Sequence, residues 1–312
     1  MFTRRHAVSV LLSAPLFAGR AVAQATPPLP VMASFSILAD MVRQIGGEQV
    51  AVTSLVGPDG DAHSYSPTPA DARALTAARV FVVNGLGFEG WLTRLVRSSG
   101  TRAKVVTAST GVTALKAEEG HSHGHSHGHS HGHSHGAFDP HAWQDVTNAR
   151  IYVKAIAAGL SEVDAARADV FARNAAAYDA TLAALDAEIR AAIGAVPRAQ
   201  RRLLTSHDAF RYFAKAYEVD VLAVRGVSSD SEPSARQIAA LIRQIRQGKV
   251  SALFMENISD PRSIQRLAAE TGARIGGKLY SDALSEAGGP AATYVEMMRH
   301  NARQIAGAMA QG

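Results

Sequence analysis

Short apolar runs alternate with amphipathic segments through the first half of the chain. Runs rich in Val, Phe and Leu predict strands at residues 31–35, 50–56, 79–84 and 104–108. Apolar residues at three- and four-residue spacings predict helices between them, at 37–45, 70–77 and 89–98. Because strands that alternate with helices form parallel sheets covered by those helices, this half predicts one α/β lobe.

The second half repeats the alternation. The predicted strands are 202–205, 219–224, 252–255 and 274–279, and the predicted helices are 209–216, 234–247, 263–270 and 291–309. Between the halves, residues 164–193 contain neither Pro nor Gly. One face of the helix predicted there carries Phe171, Tyr178, Leu182, Leu185 and Ile189.

These elements predict an α/β fold of two lobes, each a roughly four-stranded parallel sheet flanked by helices, joined by one long backbone helix. The N-terminal lobe is predicted at 24–119 and completed by 137–160, with a histidine-rich loop at 120–136 between these parts. The linking helix is predicted at 161–196 and the C-terminal lobe at 197–312. Open α/β sheets bind ligands beyond the carboxyl ends of their strands, so the cleft between the lobes is the predicted binding site.

Composition narrows the classes of function. The chain has 312 residues and 47% hydrophobic residues, as expected for two globular domains. The formal net charge is +5, but the basic residues are dispersed along the predicted helices, and we expect no nucleic-acid partner. Cysteine is absent, which excludes disulfides and thiolate metal sites and leaves His, Asp and Glu as the strong metal ligands.

Residues 1–23 predict an export signal. Arg4-Arg5 precedes an apolar stretch from Ala7 to Phe17, and Ala21-Val22-Ala23 is typical of a cleavage site. The arginine pair is also compatible with twin-arginine export. Because the apolar stretch is too short to span a bilayer, we expect a mature protein in the bacterial periplasm that is not embedded in the membrane.

Four repeats of His-Ser-His-Gly occupy residues 121–136. This composition buries too little apolar surface to order itself, so it predicts a disordered, solvated loop. Neutral imidazole binds zinc, copper and nickel, which makes the run a candidate collector of weakly bound ions. A purification tag would also explain it, although tags are usually terminal homopolymers. The auxiliary candidate ligands are His121, His123, His125, His127, His129, His131, His133 and His135.

Four further residues follow predicted elements at positions that face the cleft: His63, His141, His207 and Asp282. Two belong to each half of the chain. Three imidazoles and one carboxylate complete a four-coordinate shell around a divalent ion, so these residues are the candidate metal ligands. A lone loop histidine is more often a surface residue than a ligand, but the equivalent placement of the four strengthens the metal hypothesis.

Several motifs resemble the metal-binding solute-binding proteins of bacterial ABC transporters, in particular the periplasmic zinc-uptake proteins. The motifs are Gly57-Pro-Asp-Gly-Asp-Ala-His63-Ser-Tyr-Ser-Pro-Thr-Pro-Ala-Asp71, Asp139-Pro-His141-Ala-Trp-Gln-Asp145, Thr205-Ser-His207-Asp-Ala-Phe210, Ser231-Glu-Pro-Ser234 and Tyr280-Ser-Asp282. The resemblance extends over essentially the whole mature chain. It implies two lobes on one long helix, a buried interlobe metal held at the four candidate positions, delivery to an ABC membrane permease, and usually a monomer.

The chain departs from the family pattern at two points. Some zinc members place an acid before the first histidine ligand, where this chain has Ala62, and this favours Asp282 as the fourth ligand over a neighbour of His63. Water stays the alternative to Asp282 as the fourth ligand. Some members carry a disulfide in the second lobe, which this chain lacks. Candidate residues for orienting the imidazoles are Asp139, Asp208, Glu232 and Glu256, although they are equally compatible with helix caps or solvent.

The donor set predicts zinc as the cargo. Manganese relatives commonly have a carboxylate where this chain has His207, and imidazole suits Zn²⁺ better than the harder Mn²⁺. Copper and nickel fit nitrogen donors too. The alternatives left open are a manganese or other divalent-metal binding protein, an adhesin or a metal buffer without a transporter, and a zinc-dependent periplasmic hydrolase. A fourth protein ligand closes the zinc site and favours carriage over catalysis.

Overall fold

Two four-stranded parallel sheets form the two lobes in a computed structural model that describes residues 26–117, 137–227, 234–248, 250 and 252–311. The predicted export signal and the histidine-rich loop lie outside these residues. The N-terminal sheet consists of β1 (Leu29–Phe35), β2 (Val50–Val56), β3 (Val80–Val83) and β4 (Lys104–Thr107), in the spatial order β2-β1-β3-β4. The predicted fold class is confirmed.

The C-terminal sheet has the same topology. It consists of β5 (Arg202–Thr205), β6 (Asp220–Ala223), β7 (Ala252–Glu256) and β8 (Ile275–Leu279), in the order β6-β5-β7-β8. In both lobes the first strand of the sheet pairs in parallel with the second and third, so the chain crosses over between the second and third strands. Equivalent strand tips of the two lobes therefore carry equivalent loops.

Burial explains the apolar pattern of the strands. The central strand β3 is buried at every position, whereas the edge strand β2 alternates between half-buried and exposed residues over most of its length. A central strand is covered on both faces and needs a continuous apolar run. An edge strand covered on one face needs only every second residue to be apolar.

Nine helices connect and cover the sheets within the described residues. They are α1 (Ser36–Gly46), α2 (Pro69–Ala77), α3 (Leu92–Ser99), α4 (Val146–Val163), α5 (Ala168–Gly194), α6 (Arg211–Tyr217), α7 (Ala235–Arg246), α8 (Arg262–Thr271) and α9 (Tyr294–Met309). Reciprocal capping boxes begin α2, α7 and α9. None of these helices combines the length and apolarity needed to cross a membrane.

The linking helix is shorter than predicted. Helix α5 has 27 residues and begins at Ala168, not at 161, because Asp164 leaves the helical conformation with φ −135°. A carboxylate oxygen of Asp164 accepts a 2.7 Å hydrogen bond from Arg167 in the turn between α4 and α5. The sequence shows neither Pro nor Gly there, so periodicity did not reveal this break. Helix α5 still spans about 40 Å at 1.5 Å per residue.

The predicted apolar face of α5 is buried. Phe171, Tyr178, Leu182, Leu185 and Ile189 belong to one core that extends from the N-terminal sheet to α9 in the C-terminal lobe. Helix α5 contacts α1 and α4 of the N-terminal lobe and α6 and α9 of the C-terminal lobe. The two lobes therefore share a continuous apolar core.

A pair of helical glycines tests the packing of α4 on β4. A Cβ added to buried Gly159 would lie 2.4 Å from a methyl carbon of Val106, whereas one added to exposed Gly194 would meet nothing within 4 Å. We expect Gly159→Ala to lower the free energy of unfolding by about 1–3 kcal/mol, because overpacking outweighs the helix propensity of Ala. The matched control Gly194→Ala should leave it unchanged or raise it. Urea denaturation measures both, and equal effects would contradict this packing.

Candidate metal centre

His63 lies in the loop that follows β2. The backbone N–H of His63 donates to the carboxylate of Asp61 at 2.9 Å, and the indole of Trp91 donates to the carbonyl of Ala62 at 2.9 Å. These bonds hold the backbone on both sides of the histidine. The imidazole side chain is 7% exposed and points its Nε2 toward the other lobe.

His141 follows the Asp139-Pro140 turn. Oδ1 of Asp139 accepts from the backbone N–H of His141 at 3.0 Å and lies 2.8 Å from its Nδ1. The carbonyl of Pro140 accepts a 2.9 Å hydrogen bond from the side-chain amide of Asn84, the residue that follows β3. Because Nδ1 faces a carboxylate, Nε2 is the nitrogen left to face the cleft.

His207 and Asp282 come from the C-terminal lobe, after β5 and β8. Nδ1 of His207 lies 2.5 Å from Oε2 of Glu256, and Oε1 of Glu256 accepts from the backbone N–H of His207 at 2.9 Å. Glu256 is the last residue of β7, so the central strands of this sheet orient the ring. The side chains of His207, Glu256 and Asp282 are fully buried.

The four predicted ligand residues converge on one point between the lobes. Nε2 of His63 lies 3.1 Å from Nε2 of His141 and 3.3 Å from Oδ2 of Asp282. Nε2 of His207 lies 3.1 Å from the same oxygen. One ligand atom from each residue lies within 4.8 Å of all the others. This spacing allows all four atoms to coordinate one ion, since zinc ligands lie about 2.0–2.2 Å from the metal.

The charge balance of the centre depends on Asp282. Burial opposes protonation of His141, but the charge of Asp282 and the bond to Asp139 raise its pKa to about 9. Burial likewise opposes protonation of His207, but Glu256 and Asp282 raise its pKa well above the usual value. Burial of His63 lowers its pKa. Burial favours the neutral acid of Asp282, yet the two charged imidazoles hold the pKa of that carboxyl well below its usual range.

A cation is complementary to this donor set. Oδ1 of Asp282 is buried and accepts no hydrogen bond from the described residues. Buried carboxylate oxygens normally accept hydrogen bonds. A carboxylate oxygen that accepts none and lies beside three imidazoles is therefore available to coordinate an ion. The same atom lies 3.6 Å from Nε2 of His141.

Aromatic rings form a wall around the imidazoles that the sequence did not reveal. The ring of Phe88 lies 4.6 Å from that of His63, and Trp143 lies 5.3 Å from His141, both edge to face. Phe35 packs on Phe88 at 4.9 Å. Only Trp143 had a signal, since it follows His141 within the same motif. Phe88 lies in a loop with no polar pattern that would have indicated a site.

The four residues proposed to orient the imidazoles have different surroundings. Asp139 and Glu256 contact the Nδ1 atoms of His141 and His207, as predicted. Asp208 has no bond to an imidazole among the described residues; its carboxylate lies 3.9 Å from the guanidinium of Arg211, and burial raises its pKa to about 6. Glu232 lies outside the described residues.

Hydrogen bonds between the lobes close the cleft around the four side chains. The carbonyl of Ser281 accepts from Trp143 at 2.9 Å and from Gln144 at 2.8 Å. The backbone N–H of Asp59 donates to the carbonyl of Leu284 at 2.9 Å. Each bond joins a loop of one lobe to a loop of the other, so the centre is enclosed only while the lobes are in contact.

Two α/β lobes that enclose three imidazoles and a carboxylate define a metal-binding solute-binding protein. The family model of the periplasmic component A of the zinc-uptake complex, ZnuA, matches residues 31–308. The chain belongs to this family of metal-binding proteins of ABC transporters, which work with a membrane permease. Its members are binding proteins and not enzymes, which sets the hydrolase hypothesis aside.

The relatives differ in the metal for which they are named. The manganese-binding lipoprotein MntA of Halalkalibacterium halodurans is 34% identical over 91% of this chain and 89% of its own length. The iron-binding protein YfeA of Yersinia pestis is 32% identical over 96% and 92%. The solved structure of the periplasmic zinc-binding protein TroA of Treponema pallidum is 30% identical, covers 91% of this chain and 99% of its own, and superposes with a TM-score of 0.81.

Metal binding should displace protons from the centre. At pH 7 the raised pKa values of His141 and His207 leave both imidazoles protonated without metal, whereas His63 is neutral. A metal ion must therefore release about two protons, and its affinity should fall as the pH is lowered from 9 to 6. Calorimetry in buffers of different ionisation enthalpy counts these protons.

The variant Asp282→Asn provides the comparison for this count. Without the charge of Asp282, the imidazole pKa values should return toward 6.5 and fewer protons should be released at pH 7. Metal binding to the unaltered protein without proton release at pH 7 would show that the described charge balance is wrong.

Proposed function

We propose that the protein captures Zn²⁺ in the periplasm with high affinity and delivers it to the permease of an ABC zinc importer. The proposed ligands are His63, His141, His207 and Asp282. The observation that carries this proposal is the composition of the centre, three nitrogen donors and one oxygen donor within 4.8 Å of one another. Imidazole-rich tetrahedral sites suit zinc, whereas manganese is better served by oxygen-rich sites of higher coordination number.

The fourth ligand indicates that the protein carries the metal ion and does not use it for catalysis. A zinc ion held by three histidines retains an open position at which water is activated. Asp282 occupies that position in the proposed site. The apolar rings of Phe88 and Trp143 pack against the imidazoles of His63 and His141. The bound ion is therefore a cargo that is enclosed until the lobes separate.

Export and assembly complete the proposal. Residues 1–23 direct secretion, and the mature protein acts as a monomer. The named relatives include manganese- and iron-binding proteins, so the competing function is carriage of one of those ions. A manganese carrier would be expected to supply a second carboxylate, and the position that holds His207 is where the two functions differ most.

Competition between zinc and manganese tests the cargo. Residues 24–312 freed of metal should bind one Zn²⁺ far more tightly than Mn²⁺ in titrations against a chelating dye, because borderline nitrogen donors favour zinc. His207→Ala should weaken zinc binding by at least about a hundredfold, since it removes a ligand and leaves Glu256 unpaired. His207→Asp should lower the ratio of the affinity for zinc to the affinity for manganese.

The matched control is His300→Gln. His300 lies in the same lobe on α9, with its Nε2 3.0 Å from the carbonyl of Lys278, and it is outside the cluster. This variant should bind zinc as the unaltered protein does. Tighter binding of manganese than of zinc by the unaltered protein would refute the proposed cargo, while the ligand assignment would still be tested by the loss in His207→Ala.

The histidine-rich loop is proposed to collect ions weakly. Deleting residues 120–136 removes eight histidines and should abolish the weak sites while one tight site remains. Titration of the deletion variant beside the full chain, followed by elemental analysis after dialysis, separates the two classes of site. Loss of the tight site on deletion would show that the loop belongs to the principal centre and is no collector.

A further inference from the structure

The hydroxyl of Tyr212 crosses from the C-terminal lobe to the N-terminal lobe. Tyr212 lies on α6 and is 3% exposed. Its hydroxyl donates to the backbone carbonyl of Asp139 at 2.9 Å and accepts from the backbone N–H of Leu115 at 2.9 Å. The hydroxyl thus donates one hydrogen bond to the backbone of the opposite lobe and accepts one from it.

These two backbone groups belong to a short antiparallel ladder. Lys116 pairs with Phe138, the N–H of Ala117 donates to Ala137, and the N–H of Asp139 donates to Leu115 at 2.8 Å. In such a ladder the N–H of Leu115 would also donate directly to the carbonyl of Asp139. Here the Tyr212 hydroxyl stands between these two groups and replaces that bond, so the ladder is held open at this end.

The open end of the ladder contains Asp139, the residue that orients the proposed ligand His141. Oδ1 of Asp139 contacts both the backbone N–H and Nδ1 of His141. Tyr212 itself follows His207 by five residues, and its neighbour Arg211 donates to the carbonyl of Lys116 at 2.7 Å. The start of α6 therefore links the segment that contains His207 to the segment that contains Asp139 and His141.

We propose that Tyr212 is a positioning residue that couples contact between the lobes to the orientation of the His141 imidazole. While the lobes touch, its hydroxyl holds the carbonyl of Asp139 away from Leu115, and the Asp139 carboxylate faces Nδ1 of His141. When the lobes part, Leu115 bonds Asp139 directly, the carboxylate turns from the imidazole, and the ion loses a well-oriented donor. This inference rests on the proposed function and adds a route for metal release.

The variant Tyr212→Phe removes only the hydroxyl and lets the ladder close. Zn²⁺ should leave the loaded variant about tenfold faster in stopped-flow release to excess chelator, the factor expected from one lost buried hydrogen bond. The association rate should change by less than about twofold, since interface changes act mainly on dissociation. The visible spectrum of the Co²⁺-loaded variant should shift, because the orientation of His141 changes.

Tyr217→Phe is the matched control. Tyr217 lies on the same helix, is equally buried, and donates to the carboxylate of Asp186 at 3.0 Å, away from the centre. It should alter neither the zinc release rate nor the Co²⁺ spectrum. Equal acceleration in both variants would show a general effect on stability and would overturn the coupling.

A double-mutant cycle tests the route through Asp139. In an Asp139→Asn background, removal of the Tyr212 hydroxyl should accelerate release much less than in the unaltered protein, because the two changes act on the same contact. Additive effects would overturn the proposed route. An unaltered protein that retains no zinc would refute the proposed function, whereas tight zinc binding with unchanged release from Tyr212→Phe would refute this inference alone.

Discussion

The burial of one carboxylate among three imidazoles is the constraint on which the rest of the structure depends. A buried charge is costly unless it is paired, and the partners of Asp282 come from both lobes. The raised pKa values of His141 and His207 place positive charge beside it at neutral pH. A divalent ion would supply equivalent positive charge in the same enclosed space.

Much of this arrangement was predictable from the sequence because it follows the local pattern. The continuous apolar run of β3 and the alternation of β2 indicate central and edge strands, and His63, His207 and Asp282 follow strands whose tips meet in the cleft. The start of α5 was not predictable, since Asp164 ends a helix without Pro or Gly. Phe88 was not predictable either, because only the tertiary fold brings an apolar ring to an imidazole.

The relatives show that this fold does not by itself select a metal. Proteins named for manganese, iron and zinc align with nearly the whole chain. Selectivity must then arise from the donor atoms and from the groups that orient them. In this chain Asp139 and Glu256 each face an Nδ1 atom, which leaves Nε2 of both rings toward the cleft. At a metal site, carboxylates placed in this way orient imidazoles and make them stronger donors.

The shared core along α5 determines how the molecule responds to stress. Domains that possess separate cores can unfold one at a time, but here apolar side chains from β1, α5 and α9 pack in one cluster. Each lobe also has a smaller apolar cluster of its own, but loss of structure in one lobe would expose the shared cluster, so we expect the two lobes to unfold together. We therefore expect a single ion bound in the cleft to protect both halves of the chain from thermal denaturation and proteolysis.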